Sequence, residues 1–178
     1  MRRLLTYINS SKGRRHFGLF SLLFILSFSH FLLSCESIDC TLNNVVTCNY
    51  AFYGAEGDAV VISDTMTITA EGTDSILFNR GTNVGTFKLP MSYWQEADTL
   101  HFSFRSGTRD FELRMSLCVR KSNRQHFESP DCPTTMFHEL ESVQYETNAS
   151  FIDSVIIVNK AVNFDAKENI RIYLHTAD

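Results

Sequence analysis

The cysteine that ends Leu32-Leu33-Ser34-Cys35 stands where a lipid-acceptor thiol would stand. Two apolar residues, a small residue and a cysteine close a long apolar run, which is the arrangement of a lipobox. In that chemistry the Cys35 thiol takes a diacylglycerol through a thioether, and a signal peptidase then cuts before it. The preceding residues suit this role. Arg2, Arg3, Lys12, Arg14 and Arg15 precede the run with no acid among them, as in the n-region of an export signal. Phe17 to Leu33 spans 17 residues, the lower limit for crossing a hydrocarbon core as a helix. An uncleaved anchor is one competing reading. An ordinary cleaved signal is another, but it needs a small residue at −3, where Leu32 is bulky. Acyl chains supply the anchoring that so short a helix lacks, at about 0.8 kcal/mol per buried methylene. Arg14-Arg15-His16-Phe17 has the outline of a twin-arginine signature. Gly13 stands where Ser or Thr is usual, so these basic residues are read as orienting the signal.

Beyond Cys35 the chain carries Cys40, Cys48, Cys118 and Cys132. In an oxidising envelope an even set of four predicts two disulfides, with three pairings open. No C-x-x-C pair is present, so a metal site is not expected. Cys118 falls on the face opposite Phe111, Leu113, Met115 and Leu117, whereas Cys48 shares the apolar parity of its own strand. This ranks Cys40–Cys132 first and leaves Cys48–Cys118 as its complement.

The remaining residue types offer little for catalysis. His101, His126, His138 and His175 lack the spacings of a metal site, and no G-x-S-x-G elbow occurs. Asp58, Asp64, Glu71 and Asp74 do not follow a calcium-loop pattern. No enzyme activity, cofactor or metal is expected. Two surface chemistries are more suggestive. Asp64-Thr65-Met66, Asp74-Ser75-Ile76, Asp98-Thr99-Leu100 and Asp153-Ser154-Val155 share the form acid, hydroxyl, apolar. That form looks like the acceptor motif for O-glycosylation of exported Bacteroidetes proteins, and it is equally a turn that opens a strand. Thr65, Ser75, Thr99 and Ser154 are the candidate acceptors. Among the aromatics, Tyr50, Tyr53, Tyr93 and Trp94 are candidates for stacking on sugar rings, with Tyr93-Trp94 in a loop after Pro90.

Charge narrows the partners. Cleavage before Cys35 would leave 144 residues and remove five basic residues, taking the net charge from −4 to −9. A body that acidic does not bind nucleic acid, whose phosphates need Lys and Arg.

The elements that must position these residues read as strands almost throughout. Val46, Cys48, Tyr50 and Phe52 alternate with small or polar residues. Val60–Ile62, Met66/Ile68/Ala70, Ser75–Phe78, Phe87/Leu89/Met91 and Leu100/Phe102/Phe104 continue the pattern. Phe111, Leu113, Met115 and Leu117 form the clearest amphipathic strand, and a polar connection over 121–133 follows. Strands return at 134–146, at 155–158 and at Ile170/Ile172/Leu174. No sustained 3.6-residue period occurs after residue 34. Eight or nine short strands predict one all-β domain, a single antiparallel sandwich, with a small barrel as the alternative. The divisions are a signal peptide at 1–34, a lipidated tether at 35–43 and the sandwich at 44–178.

The lipobox, Cys40 and several C-terminal stretches together resemble a family of Bacteroidetes envelope lipoproteins of unknown function. The stretches are Phe87-Lys88-Leu89-Pro90-Met91, Asp131-Cys132-Pro133, Ile152 to Asn159 and Glu168 to Leu174. The resemblance implies an immunoglobulin-like or transthyretin-like sandwich and no activity. Cys48 and Cys118 and the long 121–133 connection depart from it. The functional expectation is a lipid-anchored, non-catalytic module that binds an envelope protein, at the outer membrane and on its periplasmic face. A carbohydrate-binding accessory module is the alternative, and a glycan is then the partner.

Overall fold

A computed structural model describes residues 46–73 and 75–175. The signal, Cys35, Cys40 and Asp74 lie outside the described residues. Among the described residues there are ten strands: β1 (Thr47–Tyr53), β2 (Thr65–Ala70), β3 (Ile76–Gly81), β4 (Thr86–Pro90), β5 (Ala97–Arg105), β6 (Leu113–His126), β7 (Thr135–Thr147), β8 (Ile152–Ile157), β9 (Ala161–Val162) and β10 (Ile170–Leu174). No helix occurs among the described residues. The strands form a four-stranded sheet, β4-β1-β10-β8, and a six-stranded sheet, β3-β2-β5-β6-β7-β9. The all-β expectation holds, with ten strands in place of eight or nine and one pairing that is not antiparallel. β1 and β10 pair in parallel, Tyr50 opposite Ile170 and Phe52 opposite Ile172. These strands sit at opposite ends of the domain's chain, so no hairpin forces them to run antiparallel.

Period-two alternation builds the core directly. Cys48, Tyr50 and Phe52 of β1 face inward with Phe87 and Leu89 of β4 and with Ile170 and Ile172 of β10. Met66, Ile68, Leu100, Phe102, Phe104, Met115, Leu117 and Val119 meet them from the larger sheet. Aromatic rings knit the two layers. Tyr50 stacks on Phe87 at 4.9 Å, and Phe87 meets Phe102 edge-on at 6.0 Å. Such pairs contribute about 0.5–1.5 kcal/mol each beyond the area they bury.

Three strand boundaries differ from the sequence reading. Phe111 is exposed and lies before β6, which starts at Leu113. Val60-Val61-Ile62 forms no strand, and Ile62 makes only an isolated bridge to Val84. The 121–133 connection is half strand, because β6 continues to His126 and pairs with the start of β7. That extension carries a bulge: Arg120 opposes Ser142, yet Lys121 opposes Leu140, leaving Glu141 as an extra residue on β7. Bulges re-aim side chains locally, and this one borders the site described next.

The Cys48–Cys118 disulfide is not formed; both cysteines are free thiols. Cys48 is sealed in the core from the smaller sheet. Cys118 lies on β6 of the larger sheet, between inward-facing Leu117 and Val119, so it points to the opposite face. No rotamer change brings two such sulfurs together. Burial pushes the Cys48 thiol up to about 12, so it behaves as an inert apolar side chain. Cys132 is disulfide-bonded; the Cys40–Cys132 expectation involves Cys40, which lies outside the described residues.

Candidate functional site

The loop between β4 and β5 is held from below by two residues of β6. Lys121, 1 % exposed, donates from Nζ to the backbone oxygens of Ser92 (2.7 Å) and Gln95 (2.5 Å) and to Asn123 Oδ1 (3.2 Å). Three donors meet three acceptors, which is what a buried ammonium requires. Asp98 Oδ2 lies 3.4 Å from Nζ and also accepts from the Ser92 N–H at 3.1 Å. Burial shifts both partners towards their neutral forms, Lys121 downward and Asp98 upward, and each charge opposes the shift of the other.

Asn123 adds a second clamp. Its Nδ2 donates to the backbone oxygens of Tyr93 (3.1 Å) and Gln95 (2.9 Å), which fixes the amide and turns Oδ1 towards His138. His138 Nδ1 lies 2.7 Å from that oxygen. Lys121 also donates to the same oxygen, so Nδ1 carries the ring proton and Nε2 is a bare acceptor. Nε2 is buried and has no hydrogen-bond partner among the described residues. Burial, reinforced by the Lys121 charge, holds the imidazole down to about 4, so it is neutral at pH 7. The Tyr93 ring stacks against it at 6.2 Å.

The result is a short loop with a rigid backbone and an exposed tip. Ser92 Oγ accepts from the N–H groups of Trp94 and Gln95 and closes the turn. Trp94 is 87 % exposed and Tyr93 40 %. Beside them lies an open depression of about 570 Å³, bordered by Tyr93, Trp94, Glu96, Asn123, Met136 and the bulge residue Glu141. Flat rings form one wall, and carboxylates and amides, with Ser122, Met136 and Lys121 between them, form the rest. This supplies stacking surface and hydrogen-bonding groups, in the size range of small-ligand sites.

The other sequence candidates are scattered. Tyr50 is committed to the core stack with Phe87. Tyr53 donates to Glu168 at 2.9 Å and lies under the Arg171 guanidinium at 4.6 Å. Thr65 opens β2, and exposed Ser75 just precedes β3, both at strand entries as the turn reading expects. Thr99 and Ser154 are half-buried within β5 and β8. Among the described residues no group of three or more His, Cys, Asp or Glu side chains could hold a metal.

Lys121, Asn123, Asp98 and His138 were not anticipated as a unit. A signal for the first two does exist. Leu113, Met115, Leu117 and Val119 set an inward parity that Lys121 continues by two residues. A lysine in an apolar register is a buried lysine in need of acceptors.

Comparison with known proteins adds a family. Residues 65–174 match the family described as "Family of unknown function (DUF6452)". No curated protein matches, and no solved structure matches. The match spans β2 to β10 and well over half the chain, so this chain belongs to that family.

Proposed function

We propose that this member of the family of unknown function DUF6452 is a non-catalytic, lipid-anchored envelope module that binds carbohydrate at the Tyr93–Trp94 depression. The observation that carries the reading is Trp94, 87 % exposed on a loop that Lys121 and Asn123 clamp. An indole held in water forfeits the 1.5–3 kcal/mol or so that burying a large apolar side chain gains, and a fixed exposed ring is suited to stacking on a sugar face. Glu96, Glu141, Asn123 and Gln125 border the same depression and can hydrogen-bond hydroxyls. The two carboxylates favour uncharged or basic sugars over acidic ones. The anchor is the Cys35 lipid read from the lipobox, with the module on the periplasmic face of the outer membrane.

Trp94 is the sole tryptophan of the chain, so its emission reports on the site without interference. A panel of neutral oligosaccharides should shift or quench that emission saturably, and Trp94→Ala should abolish binding measured calorimetrically. A panel that leaves the emission untouched removes the carbohydrate reading. Intact mass of protein taken from its own membrane tests the anchor: residues 35–178 plus acyl chains support it, and an unprocessed chain refutes it.

A protein partner is the second reading. Among the described residues β8 pairs with β10 alone and leaves an outer edge, with Ile156 on it and Val158 just past its end both about 40 % exposed. An edge of that kind invites strand addition by a partner. Envelope crosslinking that captures a reproducible partner, lost on Ile156→Lys, would favour this reading over the first.

A further inference from the structure

The outer face of the larger sheet presents short hydroxyl side chains in cross-strand rows. Thr67 of β2 lies opposite Ser103 of β5, which lies opposite Arg114 of β6. One row further along, Thr69, His101 and Ser116 repeat the arrangement, with His101 Nδ1 3.0 Å from Ser116 Oγ. Two depressions lie on this face and share Thr67 and Ser103. One, of about 260 Å³, runs over the Thr69–His101–Ser116 row. The other, of about 330 Å³, is bordered by Thr65, Thr67, Arg80, Ser103, Arg105 and Glu112.

Charge is distributed unevenly along this groove. Glu112 is the one carboxylate at its charged end among the described residues. It accepts from Ser103 Oγ, from Arg105 at 3.3 Å and from Arg114 at 2.9 Å. These partners hold its carboxyl below the usual range. The Arg80 side chain has no ion pair or hydrogen bond among the described residues. The residue also sits on β3 with φ 49°, a left-handed conformation that few non-glycine residues adopt. Two guanidinium groups thus pair with a single carboxylate and a third, Arg80, borders the same depression, on a chain whose formal net charge is −4. The other end of the groove is rich in hydroxyls and shares Arg114, with Glu146 of β7 opposite Ser116 at its far side.

We propose that this face binds a saccharide carrying an anionic group, with Arg80, Arg105 and Arg114 receiving the anion and the Thr67–Ser103 and Thr69–His101–Ser116 rows bonding its hydroxyls. The site is separate from the Tyr93–Trp94 depression, which lies at the opposite end of β5 and is bordered by carboxylates. Guanidinium forks suit carboxylate and sulfate alike, so either could be the anion. The hydroxyl rows select a sugar over a bare ion, and the acidic body disfavours a long polyanion such as nucleic acid.

The test uses the full chain purified in detergent, titrated with tetragalacturonate, a heparin tetrasaccharide, maltotetraose and inorganic phosphate. Saturable binding of one of the first two is expected, with phosphate at least tenfold weaker, and with maltotetraose at least tenfold weaker in the Trp94→Ala protein, which lacks the other site; which of the two acidic sugars binds identifies the anion. Arg80→Gln should weaken binding about tenfold and flatten its salt dependence. Thr67→Val should weaken it several-fold with the salt dependence unchanged, a result that general electrostatic attraction would not produce. Trp94 emission should stay constant as the acidic tetrasaccharide binds. Equal affinity for phosphate, equal affinity for maltotetraose in the Trp94→Ala protein, an unaffected Arg80→Gln or Thr67→Val protein, or a change in Trp94 emission on adding the acidic tetrasaccharide would each overturn the proposal.

Discussion

The cluster around Lys121 and the cluster around Glu112 use the same chemical parts in opposite settings. Each has cationic and carboxylate groups at salt-bridge distance and a polar neutral side chain close by. In the first, Lys121 is sealed from water and Asp98 is 13 % exposed. There burial pushes both groups away from their charged forms, and the ammonium survives because backbone carbonyls surround it. In the second, Arg105 and Arg114 are more than 70 % exposed, and Glu112 is held in its charged form by its neighbours. The difference teaches where polar groups build structure. A desolvated pair has no alternative partners, so removing one member strands the other. A solvated pair exchanges its partner for water at small cost.

Lys121→Ala would break this comparison most severely. It strands Asp98 and releases the carbonyls of Ser92 and Gln95, so a loss of about 3–5 kcal/mol is expected in urea unfolding. Trp94 anisotropy should fall as the loop loosens. Adding Asp98→Asn should restore part of the loss, since the two substitutions act on one network. A loss below about 1 kcal/mol would place Lys121 in the same class as the surface arginines.

Acid sharpens the contrast. His138 is held down to about 4 in the folded state against 6.5 for the free side chain. The unfolded chain therefore takes up a proton first as pH falls. Stability should be level above about 6.5, decline as pH drops from there to about 4, and stop declining for this group below that, by up to ~3 kcal/mol. Asp98, raised by burial, pulls in the stabilising direction at the acid end. Glu112, lowered by its partners, adds its own loss only below the usual carboxylate range. Denaturation midpoints for the wild type and His138→Gln should differ in slope across pH 4–6.5 and run parallel above it.

Glu112→Gln should cost less than about 1 kcal/mol, and added salt should shrink the difference from wild type further. Trp94→Ala should move stability by no more than about 0.5 kcal/mol, because the ring contributes nothing to the core. Its effect belongs to ligand binding alone.

Some of this was legible from residue order. The parity of Leu113, Met115 and Leu117 located β6 and placed Cys118 on the face away from the core. That argued against the Cys48–Cys118 bridge; elimination, which favoured it, assumed that every thiol must pair. The Tyr93-Trp94 loop was legible too, because Pro90 ends β4 and a polar stretch follows before β5. The clamp beneath it was not. Its members come from β5, β6 and β7, and only strand pairing brings Asp98, Asn123 and His138 together.

The amino-acid sequence alone determined the local quantities: the β class from its period of two, the inward set of the alternating strands β1, β4 and β5, and the acidic balance of the chain. The tertiary structure decided what depends on neighbours. It set the parallel pairing of β1 with β10, the bulge at Glu141, the burial of Lys121 and the open position of Trp94. The physical reason is that alternation follows from backbone geometry within one strand, whereas burial, register and charge state depend on which distant strand lies alongside.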